Sequence, residues 1–120
     1  MPVAAILTVS ADDVGYQWFS KNGKVRHTAA LRWADVSSVE VFKRDLITYD
    51  LICIQVRTPK EEEPVEFDEE DPNWKQLMAA LPVRLPGCKP RNHWYSEVAF
   101  PAFETKLKRV YEKTETTLLG

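Results

Sequence analysis

Residues 50–81 read DLICIQVRTPKEEEPVEFDEEDPNWKQLMAAL, and the fold class turns on where this stretch changes period. From Asp50 to Thr58, Ile52, Ile54 and Val56 face one way, and Leu51, Cys53, Gln55 and Arg57 face the other. Apolar residues on both faces predict a central strand. Pro59 ends it, because proline cannot donate to a ladder. Lys60 to Pro64 is a polar connection, and Val65-Glu66-Phe67-Asp68 alternates again as a short strand. After that the period becomes helical. Asp71 reads as an N-cap with Pro72 at the first helical position. Trp74, Leu77, Met78 and Leu81 recur at i, i+3, i+4 and i+7, which predicts an amphipathic helix over 72–81 that Pro82 stops. Glu69, Glu70 and Asp71 sit at its positive end.

Upstream, the chain reads as strands. Ile6 to Ser10 is a short β-compatible run. Asn22-Gly23 between two β-like runs is a strong hairpin signal. A two-residue turn there pairs Lys21 with Lys24, Ser20 with Val25, Phe19 with Arg26 and Trp18 with His27. Val36 to Lys43 is another strand, and Asp45 to Tyr49 holds a turn. Downstream, Pro86, Gly87 and Pro90 make 83–92 an irregular connection. Asn92 can cap a short helix over 93–98, and residues 100–103 read as a packed bend. Residues 105–113 leave strand and helix open, with Val110-Tyr111 favouring strand. The expected class is α+β: a curved antiparallel sheet of roughly six to seven strands, one clear helix near 72–81 and a short one near 93–98. Residues 1–113 are expected to form one domain, with 114–120 a frayed tail.

The length of 120 residues suits one domain with its own core. Sixteen basic and 18 acidic side chains leave a net charge of −2. Nucleic-acid binding usually leaves a basic footprint, so no nucleic-acid partner is expected. No apolar run approaches the length of a membrane-spanning helix. The apolar start, Met1 to Leu7, lacks a basic region and is soon followed by Asp12 and Asp13, unlike a signal peptide. A cytoplasmic location is therefore expected. Cys53 reads as a small buried hydrophobe and Cys88 as a loop residue, and their pairing stays open.

The chain has no Gly-x-Gly-x-x-Gly, P-loop, Gly-x-Ser-x-Gly or His-Glu-x-x-His motif, and only four glycines. No catalytic residue, cofactor or metal is expected. His27 and His93 are the only side chains that ordinarily titrate near neutrality, so a small enzyme would have to use one of them. Cys88 and His93 fall short of the ligand set of a closed zinc site. Eight of the 11 residues in 61–71 are acidic. Glu61, Glu62, Glu63, Glu66, Asp68, Glu69 and Glu70 therefore form a candidate surface for a basic partner, against the plainer reading of a solvated turn and a favourable helix start. Seven basic residues lie between Arg84 and Lys113, with Trp94 and Tyr95 among them. Lys89, Arg91, Trp94 and Tyr95 form the candidate anion site, with Lys106 and Lys108 as further cations, against the plainer reading of core aromatics and surface lysines. The two opposed charge regions also suit contact between copies of the chain, a homo-oligomer.

Leu31-Arg32-Trp33-x-Asp35-Val36-x-x-Val39, Tyr49-Asp50-Leu51-Ile52, Val65-x-Phe67-x-Glu69-Glu70, Trp74-x-x-Leu77-x-x-x-Leu81 and Leu85-Pro86-Gly87 follow one another in this order. This layout, over residues 14–112, resembles small bacterial proteins with a pleckstrin-homology-like barrel, a family that usually lacks an assigned activity. The resemblance implies a strongly curved antiparallel sheet with a helix packed across it, and no catalytic residue. The chain departs from a standard pleckstrin-homology domain, whose long helix comes last. The resulting expectation is a non-catalytic protein-interaction domain with an unidentified protein partner. One specific version is an immunity-type inhibitor that neutralises a toxin. The rival is a domain that binds an anionic small ligand or lipid headgroup.

Overall fold

Seven strands and two α-helices are present in the computed structural model, which describes residues 4–19, 22–99 and 107–113. β1 (Ala4–Val9), β2 (Asp13–Phe19) and β3 (Val25–Arg32) form an antiparallel three-stranded sheet in that order. A 3-10 turn, Trp33–Asp35, ends it. β4 (Ser38–Asp45), β5 (Asp50–Arg57), β6 (Val65–Asp68) and β7 (Lys108–Glu112) form a second antiparallel sheet, ordered β6-β5-β4-β7. Between β6 and β7 lie α1 (Trp74–Arg84) and α2 (Arg91–Ala99). The expected antiparallel α+β class is present, with its strands divided between two sheets.

The division occurs at Trp33. Its backbone N–H donates to the Asp12 carbonyl and its indole N–H to the Ser10 carbonyl at 2.9 Å, which pins the turn against the β1–β2 connection. The Ser37 N–H then joins the Arg57 carbonyl, and the chain enters the second sheet. β5 is central there, between β4 and β6, as its two-sided apolarity predicts. The open 105–113 segment contributes a strand from Lys108 onward, paired with β4. Thr105, Lys106, the bend at 100–103 and the tail at 114–120 lie outside the described residues.

One core joins the sheets and helices. Leu7 and Val14 come from the first sheet. Val39, Val41, Ile52, Ile54, Val56 and Phe67 come from the second, and Trp74, Leu77, Leu81, Trp94 and Val98 from the helices. Lys43 lies on this inner face and is 1% exposed. Its ammonium donates to the Ala99 carbonyl and pairs with Asp50 Oδ2 at 3.4 Å. A cation at the last carbonyls of α2 is favoured by the helix dipole.

Four local expectations need correction. The first helix begins at Trp74, so Asp71 is not its N-cap. Asn73 holds that position without a side-chain cap bond, and its amide nitrogen donates instead to the Leu7 carbonyl. Nor does Pro82 stop the helix, which runs to Arg84. Leu81 and Leu85 are both buried, and the Leu85 N–H bonds the Leu81 carbonyl across the proline. Packing of that last turn offsets the donor Pro82 lacks. The second helix starts at Arg91, ahead of Asn92. In the first hairpin, Trp18 faces His27 as predicted, but Phe19 faces Val25 across a bulge. Gly23 takes the left-handed φ of +81° that its place in the turn suggests. Lys21 and Ser20 lie outside the described residues.

Candidate functional site

The acidic run separates into two parts. Glu66 takes both of its oxygens to Arg44 Nη2 at 2.7 Å. Asp68 accepts the Glu70 N–H at 2.9 Å. Glu69 accepts the Ile52 N–H at 3.2 Å and returns its own N–H to the Ile52 carbonyl. Glu70 lies close enough to the Tyr49 phenol to push that phenol's pKa up. Asp71 Oδ2 accepts the Leu7 N–H at 2.9 Å and Oδ1 the Asn73 N–H at 2.8 Å. Together with the Asn73 amide, Asp71 satisfies both backbone groups of Leu7 on the edge strand β1. Glu61, Glu62 and Glu63 are exposed, and among the described residues their carboxylates have no hydrogen bond or ion pair.

Two of these glutamates, Glu61 and Glu63, rim a groove. Pro59 occupies the second position of a turn closed by the Glu61 N–H on the Thr58 carbonyl, where its fixed φ is favoured. The turn brings Lys60 and Glu61 toward the first sheet. Between them lies a cavity of about 250 Å³ lined by Gly15, Tyr16, Ala30, Leu31, Glu61, Glu63 and Val65. A neighbouring cavity of about 220 Å³ shares Ala30, Leu31 and Glu61 and adds Arg32, Asp35, Thr58 and Lys60. Tyr16 is fixed from below. Its ring stacks on Phe67 at 4.8 Å and its hydroxyl donates to the Glu66 carbonyl at 2.6 Å. Burial, then the nearby charges of Asp68, Asp71 and Glu66, push its pKa up, so it stays a neutral donor. β3 is an edge of its sheet beside this groove. An apolar floor under an anionic rim suits an aliphatic stem with a cationic head.

The other sequence candidates are placed differently. Trp94 is buried in the core, while Arg91 lies over the Tyr95 ring at 3.9 Å. Lys89 is exposed, and its backbone N–H bonds the Val110 carbonyl. His93 is exposed on α2, and His27 stands on β3 opposite Trp18. Cys53 and Cys88 are both free and buried. Burial pushes each thiol to about 11, which makes both poor nucleophiles near neutrality. Among the described residues no group of three or more His, Cys, Asp or Glu could hold a metal ion. No described helix is long and apolar enough to cross a membrane.

Sequence reasoning missed two features. Glu40 is only 4% exposed, yet it accepts from Gln55 Nε2 at 2.7 Å, Arg57 Nε at 3.1 Å and Arg109 Nη2 at 3.0 Å. Burial alone would raise its pKa, but the bonds from Arg109, Gln55 and Arg57 hold it below the usual carboxylate range. Alternation with Val39 and Val41 marks Glu40 as facing away from the core, but only the β4–β7 register brings Arg109 to it. The second feature is Ile47, 88% exposed at the β4–β5 turn with φ of +74°. A β-branched residue seldom adopts that conformation. Its N–H is held by Asp45 Oδ1 at 2.8 Å.

Comparison with protein-family models, with curated proteins and with solved structures gives no match to this chain.

Proposed function

We propose that the chain is a non-catalytic interaction domain that docks a basic segment of a partner protein along the groove between the first sheet and the turn after β5. The observation that carries this reading is the pair Glu61 and Glu63, unpartnered among the described residues over a floor of Tyr16, Leu31 and Val65. An arginine or lysine can lay its stem on that floor and its charge on that rim. The edge of β3 supports the same reading, since an extended segment can add to an open sheet edge and aim alternate side chains into pockets.

The test is a fluorescence-anisotropy titration with a short labelled peptide of alternating arginine and valine. Binding is expected at low salt and weaker at high salt. Glu61→Gln/Glu63→Gln should weaken it by about tenfold, more than the equal charge change in Glu97→Gln/Glu112→Gln. Equal effects of the two double variants, or no binding by the unaltered protein at low salt, would overturn the reading.

A further inference from the structure

The half of the groove nearest the 3-10 turn carries its own cation. Lys60 Nζ reaches Asp35 Oδ2 at 3.2 Å, while the lysine side chain remains 73% exposed. Pairs of this kind are weak and easily exchanged. Two acceptors beside it are left over. The Glu61 carboxylate has no partner among the described residues. Thr58, only 6% exposed and lining the same cavity, has a hydroxyl without a hydrogen-bond partner among the described residues. A buried hydroxyl without a partner is costly, and a donor entering the cavity that Thr58 lines could relieve it. Arg32 also lines the cavity, so with Lys60 in place the local charges of Asp35, Glu61, Lys60 and Arg32 balance.

We propose that this cavity is an arginine subsite for which Lys60 is the chain's own placeholder. It rests on the docking reading above. When a basic segment occupies the groove, one of its arginines displaces Lys60 from Asp35. A lysine brings a point charge with three donors. A guanidinium brings five donors in a fixed fork, enough for Asp35, Glu61 and the Thr58 hydroxyl together. Lys60 swings into solvent, where most of its side chain already lies.

The experiment compares Lys60→Gln with Lys75→Gln, an equal charge change at an exposed site on α1. The probes are the arginine–valine peptide and its lysine–valine counterpart. Lys60→Gln should tighten the arginine peptide by about three- to fivefold more than Lys75→Gln does, the size expected from releasing an exposed ion pair. Adding Asp35→Asn to Lys60→Gln should abolish that gain, and the lysine peptide should gain less. Unchanged melting temperatures establish that the variants fold. If both lysine variants act alike while Glu61→Gln/Glu63→Gln still weakens binding, the placeholder is overturned and the docking reading stands. If the lysine peptide gains as much as the arginine peptide, the arginine assignment is overturned. If the unaltered protein binds neither peptide, both proposals fall.

Discussion

The acidic run holds two stretches of similar composition, 61–63 and 66–71. In the second, the carboxylates of Glu66, Asp68, Glu69 and Asp71 all have partners inside the protein. In the first, no carboxylate has one among the described residues. The difference lies in the donors nearby: Arg44 for Glu66, and backbone N–H groups for Asp68, Glu69 and Asp71. Residues 66–71 pass a sheet edge, the end of β5 and the approach to a helix, places where N–H groups lack ladder partners. A carboxylate there gains a charge-assisted hydrogen bond and relieves an unpaired donor. Residues 61–63 form a hairpin connection in water, and their carboxylates serve no donor among the described residues. Acidic composition thus supports the fold in one stretch and leaves charge for a partner in the other.

This contrast can be broken by mutation. The largest effect is expected at Asp71→Ala, which removes two charge-assisted bonds and strands the Leu7 N–H; a loss of about 2–3 kcal/mol should appear in urea unfolding with the slope unchanged. A loss below about 0.5 kcal/mol would place Asp71 with the free acids. Glu40→Gln comes next, at about 1–2 kcal/mol, because Arg57 and Arg109 are each about half exposed and can turn to water.

Glu40 also sets a pH signature. Its folded pKa lies below the unfolded value, so its contribution is fully present above the unfolded carboxylate pKa. It fades as pH falls through the folded pKa. Stability of the unaltered protein should therefore fall more steeply on acidification than that of Glu40→Gln, measured by urea midpoints across the acid range. Parallel pH profiles would remove Glu40 from the engaged class.

Smaller effects follow. Glu69→Gln should cost about 1 kcal/mol, since its bond to the Ile52 N–H is the longer one at 3.2 Å. Glu66→Gln should change stability by less, within about 0.5 kcal/mol, because it and Arg44 are both exposed. Glu61→Gln, Glu62→Gln and Glu63→Gln should leave the melting temperature unchanged or slightly raised, as like charges are relieved, while docking weakens.

Much of the fold is legible in the sequence where one local rule decides. Period-two alternation marks β5 and β6, and the stripe from Trp74 to Leu81 marks α1. What local rules miss depends on distant partners. Asp71 reads as an N-cap, but the helix starts later, at Trp74, and one Asp71 oxygen serves the distant Leu7 N–H. Pro82 reads as a stop until the burial of Leu85 holds the last turn. The candidate site divides in the same way. The acidic surface is visible as composition, but which glutamates stay free depends on which donors the fold brings near them. Thr58 and Asp35 carry no signal at all, because only the meeting of β3, the 3-10 turn and the β5–β6 connection puts them in one cavity.

The clamp on Leu7 also bears on how the molecule opens. The amide of Leu7 finds its acceptor in a side chain 64 positions away, whereas the first sheet is built wholly from neighbouring segments. If that sheet swings off the helix with its own ladder intact, the Leu7 amide is released while ladder amides on β1 and β2 stay closed. Its deuterium uptake therefore clocks detachment of the sheet separately from unfolding of the chain. Because β3 walls the groove, the same clock runs on the docking surface: a bound segment that bridges β3 and the β5–β6 turn should slow uptake at Leu7, across the sheet from where it sits.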